Sequence, residues 1–332
     1  MTAPLVVGLA GPSLADEERV FLREALPVGV ILFARNLSDG EALRRLTDDV
    51  REACGGLVFV DQEGGRVQRL RPPLAQRRPA AAAIGAIHAR DPAAGARAAF
   101  LSGRLIGADI ARHGIDSPCL PVADVPAEGA HDVIGDRAYA RDPEAVAALA
   151  GAAAQGVLAA GCLPVVKHVP GHGRALADSH LECPVVDASR NALARDFAPF
   201  RALCGLAMAM TAHVRYTALD AARPATLSPA VVALVRGEIG FDGLLLTDDL
   251  TMGALGADRV ASGRDAIAAG CDVVLHCSGD LAEMEGLAAA LPAMGEAGER
   301  RLAAALAARR PADGADERAL GEEFEALMGI AA

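Results

Sequence analysis

Residues 167–180 read KHVPGHGRALADSH, a stretch that holds three of the chain's eight histidines and its single lysine. All the other basic residues are arginine. Histidine gives and takes a proton near neutral pH, so His180 has the chemistry of a general acid and base. Asp178, two residues earlier, is spaced to accept a hydrogen bond from the other ring nitrogen and hold the tautomer. Lys167 offers a compact ammonium with rotatable donors, which differs in geometry from a guanidinium fork. With His168 it supplies hydrogen-bond donors, and Asp61 in DQEGGRVQR supplies an acceptor. Asp248 in LLTDDLTM ends an apolar run, a rigid platform for a carboxylate nucleophile. Each feature also has a plainer reading. Asp248 could cap a turn beside Asp249, and Asp-Ser is common turn chemistry. Lys167 and His168 could serve an ion pair with a neighbouring strand. Arg69 and Arg137 could form surface salt bridges, and Gly64-Gly65 could be a turn alone.

The elements that carry these residues alternate in a regular way. Short apolar runs at 5–10, 28–33, 56–61, 116–122, 163–168, 206–213, 243–248 and 271–277 read as strands. Amphipathic stretches at 39–53, 91–113, 143–160, 190–204, 228–238 and 260–269 read as helices between them. Continuous apolar strands suit a parallel sheet covered by helices. Eight such units predict an α/β fold with a single (β/α)8 TIM barrel over residues 1–332, the site lying at the carboxyl ends of the strands. A doubly wound sheet is the alternative, but GLAGPSLADEE after the first strand is no dinucleotide fingerprint. The alanine-rich tail 301–332 reads as terminal helices on the barrel exterior. Strand ends carry Asp61, Asp124, Lys167 with His168, His213, and Asp248 with Asp249. Charged groups directly after buried runs are costly unless paired or used.

Composition narrows the function classes. The chain has 332 residues, 52% of them hydrophobic, and a net charge of −11. That charge argues against a general nucleic-acid or anionic-membrane surface. No run approaches the length of a membrane span, and the amino terminus lacks a signal-peptide pattern. Seven scattered cysteines inside mostly apolar runs read as buried free thiols in a reducing compartment. The expectation is a cytoplasmic protein with no cofactor and no metal.

The elements KHVPGHGRALADSH, DQEGGRVQR and LLTDDLTM together resemble the family 3 glycoside hydrolases. The likeness runs from ILFARN at 31–36 to AGCDVVL at 269–275 and is narrower toward the short, single-barrel bacterial β-N-acetylglucosaminidases of peptidoglycan recycling. The resemblance implies Asp248 as nucleophile, His180 as general acid/base and Asp178 as its support. It implies sugar contacts at Asp61, Arg69, Arg137, Lys167 and His168. The substrate class it implies is a β-linked, GlcNAc-containing muropeptide fragment, cleaved with retention through a covalent glycosyl-enzyme. Longer members commonly carry a second domain that contributes the acid/base. At 332 residues the expectation is that the barrel itself supplies it. Two departures from the family pattern stand beside the chemistry: Val169 where an aromatic is usual, and Thr247 where serine is usual.

Rival readings stay open on the residues alone. A metal-dependent amidohydrolase would draw on His168, His172, His180, His213, Lys167 and Asp248. However, Pro-Gly between His168 and His172 keeps them off one helix face, and the first strand lacks His-x-His. A catalytically silent sugar-binding protein is a second rival. In a third, a histidine acid/base removes one negative charge near the site, so that phosphate replaces water as acceptor and the enzyme is a phosphorylase.

Overall fold

The computed structural model describes residues 2–329. Eight parallel strands form its centre: β1 (Ala3–Gly8), β2 (Pro27–Leu32), β3 (Leu57–Val60), β4 (Ser117–Pro118), β5 (Val165–Val169), β6 (Met208–Thr211), β7 (Leu244–Asp249) and β8 (Val273–His276). Their order in the sheet is β4-β3-β2-β1-β8-β7-β6-β5. Sequential strands are neighbours and β1 pairs with β8, which is the order of a barrel and not of a doubly wound sheet. The remaining seam, β4 against β5, is held by a bridge between Val122 and Lys167 and by single backbone bonds, Val165 N–H to Leu120 at 2.9 Å and Ala123 N–H to Lys167 at 2.7 Å. The fold is therefore α/β around a nearly closed, eight-stranded parallel barrel.

The fourth strand is much shorter than the expected 116–122. Pro118 and Pro121 in SPCLPV lack the N–H that a regular ladder needs, so the segment touches β5 at intervals only. The first strand likewise runs Ala3–Gly8 and not 5–10.

Eleven α-helices are described: α1 (Asp16–Ala25), α2 (Gly40–Cys54), α3 (Ala81–His88), α4 (Pro92–Ala111), α5 (Pro143–Ala159), α6 (Arg190–Ala202), α7 (Pro229–Leu234), α8 (Arg259–Ala269), α9 (Leu281–Ala290), α10 (Glu296–Ala308) and α11 (Glu317–Met328). Their starts are written into the sequence. Asp39, Asp91, Asp142, Ser189, Ser228, Asp258, Asp280 and Asp316 each accept a backbone N–H of the first helical turn. Proline follows the cap at 92, 143 and 229, where its missing N–H costs nothing.

Alternation along the strands builds two apolar layers. Val6, Phe59, Val165, Met208, Met210, Leu244 and Leu246 fill the barrel, while Leu5, Val7, Val58, Val166, Ala209 and Leu245 meet the helices outside. Because both faces are buried, the strands read as unbroken apolar runs. The seven cysteines are all unpaired. Cys119, Cys162, Cys271 and Cys277 are buried, and Cys54, Cys183 and Cys204 partly so. Burial pushes the Cys162 and Cys271 thiols up to about 12.

The tail departs from expectation in one respect. Helix α10 starts at Glu296, before the expected 301, and does not lie on the barrel exterior: Leu302, Ala305 and Ala308 pack against the interior cluster. Arg301 reaches Asp272, just before β8, at 2.9 Å, so α10 closes the amino-terminal mouth. An apolar barrel interior needs a cover at the end that carries no site. Helix α11 does lie outside, against α4, with Phe324 buried. Residues 330–332 of the expected tail, and Met1, lie outside the described residues. No described helix is long and apolar enough to cross a membrane.

Candidate active site

Strand periodicity puts three charged groups at the carboxyl end of the barrel interior. Leu244 and Leu246 of β7 face inward, so Asp248 does too. By the same count Asp61 follows Leu57 and Phe59, and Lys167 follows Val165. A cavity of about 80 Å³ opens there. It brings together seven of the eight expected residues: Lys167, His168 and Asp248 from strands, Asp61 directly after β3, Arg69 and Arg137 from the connections after β3 and β4, and His180 from the loop after β5. Asp178 stands behind His180, its Oδ1 2.8 Å from Nδ1 of the ring. A surface cavity of about 550 Å³ beside Arg141, Arg174 and Arg195 contains none of them.

The floor is a charge lattice. Lys167 Nζ lies 3.0 Å from Asp61 Oδ1 and 2.7 Å from Glu63 Oε1. Burial opposes the ammonium charge, but the two facing carboxylates win and raise its pKa. Burial likewise works against the charges of Asp61 and Glu63, and the cations override it. Lys167 and Arg69 lower Asp61, and Lys167 and Arg137 lower Glu63. Arg137 grips Glu63 with both arms, Nε to Oε2 at 2.9 Å and Nη2 to Oε1 at 2.8 Å. Arg69 donates to Asp61 at 3.2 Å, lies over the Phe33 ring at 5.5 Å, and has a buried Nε with no partner among the described residues. Arg137 is buried in its pair with Glu63, whereas Arg69 is only partly buried in its ion pair with Asp61.

His168 serves different contacts from its neighbour Lys167, as expected. Its Nδ1 lies 2.7 Å from Asp124 Oδ2, and Arg137 donates toward Nε2 at 3.4 Å. That pattern assigns the proton to Nδ1.

The neighbouring carboxylates of β7 have separate tasks. Asp249 Oδ1 accepts from the N–H groups of Thr251 at 2.9 Å and Cys277 at 3.1 Å, and Oδ2 accepts from the Thr251 hydroxyl. It is the turn-holding carboxylate. Asp248 Oδ1 accepts from the Asp249 N–H at 2.8 Å, and no described group donates to Oδ2. Burial raises its pKa, but His168, His213 and the Asp249 N–H outweigh that and hold the carboxyl below its usual range. Asp248 is thus an ionised carboxylate with one oxygen fixed and one free at the cavity.

Sequence reading passed over Glu63 and gave no role to Asp124. Glu63 is the shared partner of Lys167 and Arg137. A signal existed, because Glu63 falls two residues after Asp61 in DQEGG, on one face of an extended chain. Asp124 holds the site from behind, accepting from His168 Nδ1 and, at 2.6 Å, from the His172 N–H. His213 is fully buried and donates from Nε2 to the Asp249 carbonyl at 3.0 Å, so it braces β7. Burial lowers its pKa. Among the described residues no cluster of three His, Cys, Asp or Glu side chains is placed to hold a metal ion.

The lattice makes two changes measurable. Lys167→Arg keeps the charge but puts a planar fork into a buried slot between two carboxylates, so a marked loss of activity is expected despite the conservative substitution. Wild-type kinetics from the variant would reduce Lys167 to a replaceable cation. Glu63→Gln removes the common counter-charge of two buried cations. Breaking such a pair costs about 3 kcal/mol or more, read as a lowered denaturant midpoint with an unchanged slope.

The sequence matches the model of the glycosyl hydrolase family 3 N-terminal domain over residues 5–308. The chain belongs to glycosyl hydrolase family 3. It is a glycoside hydrolase. Beta-hexosaminidases of Aromatoleum aromaticum and Alkalilimnicola ehrlichii are each 42% identical to it, over 83% and 84% of this chain and 79% and 81% of those proteins. The crystal structure of NagZ from Neisseria gonorrhoeae in complex with N-trifluoroacetyl-D-glucosamine matches with a TM-score of 0.87 at 33% identity, covering 100% of this chain and 98% of that one. A family 3 beta-N-acetylglucosaminidase from Paenibacillus matches with a TM-score of 0.80 at 31% identity, covering 99% of this chain and 62% of that one. The segments DQEGGRVQR, KHVPGHGRALADSH and LLTDDLTM lie where the charges converge, on the carboxyl side of β3, β5 and β7.

Proposed function

We propose that this family 3 hydrolase is a retaining exo-β-N-acetylglucosaminidase that removes terminal GlcNAc from β-linked muropeptide fragments, acting in the cytoplasm in cell-wall recycling. Support for the sugar comes from the beta-hexosaminidase relatives and the N-acyl-glucosamine held by the gonococcal neighbour. The observation that carries the mechanism is one cavity containing both an ionised carboxylate with a free oxygen, Asp248, and a histidine paired to a carboxylate, His180 with Asp178. Retaining hydrolysis needs such a pair: a nucleophile at the anomeric carbon and a proton donor at the leaving oxygen.

In this reading, Asp61, Lys167, Arg69, Arg137 and His168 bind the sugar ring and fix it against Asp248. The Asp248 carboxylate attacks the anomeric carbon while His180 protonates the departing oxygen. Asp178 accepts from Nδ1, which leaves the proton to be given on Nε2. In the second half, neutral His180 takes a proton from water as it attacks the same carbon, and the Asp248 ester is released. The cavity is small beside the roughly 300–1,000 Å³ of typical ligand sites. Ser179 and His180 form part of its wall, so the loop swings outward to admit the sugar.

Water as acceptor is tested against phosphate directly. With an aryl β-N-acetylglucosaminide and no phosphate, release of free GlcNAc at full rate is expected. Accumulation of GlcNAc 1-phosphate, with turnover dependent on added phosphate, would make the enzyme a phosphorylase instead. Inactivity on every N-acetylglucosaminide would leave a silent sugar-binding protein.

A further inference from the structure

Within the loop after β5, the segment 176–182, which carries His180, makes few bonds to the rest of the protein. Its large apolar residues point away from the protein, Leu176 at 69% exposure and Leu181 at 80%. Neither leucine therefore staples residues 176–182, whose hydrogen bonds to the rest of the protein are few. Two are backbone bonds from the segment after β7: Gly253 N–H to the His180 carbonyl at 3.0 Å and Ala254 N–H to the Ser179 carbonyl at 3.2 Å. The third joins His172 Nε2 to Ser179 Oγ at 3.0 Å, the only side-chain bond from the rest of the protein to residues 176–182 among the described residues.

His172 is well built to be the fixed end of that tie. It is 3% exposed, and its backbone N–H is held by Asp124, the same carboxylate that orients His168. Burial, with His168 beside it, lowers its pKa to about 4, so the ring is neutral. Ser179 is 2% exposed although its neighbour His180 is open to solvent, so the serine side chain is tucked inward while the histidine stays free. The fit of the backbone is equally close. A Cβ on Gly253 would stand 2.4 Å from the Leu181 carbonyl oxygen and 2.9 Å from that of His180.

We infer that His172, acting through Ser179, is a positioning residue that holds the loop inward so that His180 stands over the cavity, with Gly253 providing the backbone seat. This rests on His180 being the general acid/base. The tie sets how often the acid is in place and leaves the nucleophile untouched. Its loss should therefore fall on leaving groups that need a proton and spare those that do not.

The test uses the full chain. Ser179→Ala should lower kcat/KM for an unactivated β-GlcNAc disaccharide about tenfold, on the scale of one lost hydrogen bond. It should leave the glycosylation rate with a dinitrophenyl glycoside unchanged and steepen the dependence on leaving-group pKa. Ser179→Thr, which keeps the hydroxyl, should restore the disaccharide rate. Gly253→Ala, which disturbs the seat without touching Ser179, should reproduce the Ser179→Ala pattern. In a His180→Ala background, Ser179→Ala should have no further effect. Equal losses on both substrates, no loss on either, or a full additional loss in that background would overturn the inference. Should His180→Ala itself show no leaving-group dependence, the acid/base assignment fails, and that result is separate from any behaviour of Ser179.

Discussion

Asp248→Asn is expected to lower kcat by about 10⁴-fold or more, the scale seen when a hydrolase loses a member of its nucleophilic machinery. The amide keeps an oxygen able to accept the Asp249 N–H, so the turn of β7 should survive. It cannot attack the anomeric carbon. Sugar binding should persist, because Lys167 is held by Asp61 and Glu63, and Arg137 by Glu63, and none of these pairs involves Asp248. Unchanged thermal unfolding with retained GlcNAc binding is the expected companion result. Asp249→Asn should behave differently. Its carboxylate accepts from Thr251 and Cys277, so its loss should appear first as lowered stability. A variant at Asp248 with activity near wild type would remove the nucleophile from the barrel interior altogether.

The second large effect depends on the leaving group. General acid–base assistance is worth roughly a hundred- to ten-thousandfold. His180→Ala should cost that much on a natural disaccharide, whose sugar leaving group departs only when protonated. An activated aryl glycoside needs no proton, so its glycosylation step should survive. Deglycosylation still needs a base, hence a burst of phenol followed by slow turnover is expected. Asp178→Asn should give the same pattern more mildly, because it removes the charge facing Nδ1 and keeps the ring. Equal loss on both substrates without a burst would reduce the loop to a binding element or lid.

Why some of this was legible in the sequence and some was not follows from physics. The strands could be read because each is buried on both faces, which forces unbroken apolar runs such as LVVG and LLL. The exception was 116–122, where two prolines deny the ladder its donors and only local bridging remains. The charges that line the cavity could be read where one follows inward-facing apolar residues, as at Asp61, Lys167 and Asp248. Glu63 was missed because its role is defined by partners 74 and 104 residues away, Arg137 and Lys167, and no local spacing reports such a meeting. The task of Asp124 was hidden in the same way. Helix α10 was misplaced for a related reason. Its face toward the barrel is made of Leu302, Ala305 and Ala308, and in an alanine-rich helix so weak a pattern does not distinguish a plug from an outer layer.

Trapping the covalent intermediate tests the central assignment most directly. The enzyme would be treated with a 2-deoxy-2-fluoro-type inactivator bearing a good leaving group, then digested and mapped by mass spectrometry. One sugar per chain is expected, esterified within the peptide that contains LLTDDLTM, with fragmentation placing it on Asp248 and not on Asp249. Label on another peptide, or rapid turnover with no label under conditions that trap related enzymes, would contradict a glycosyl-enzyme at Asp248.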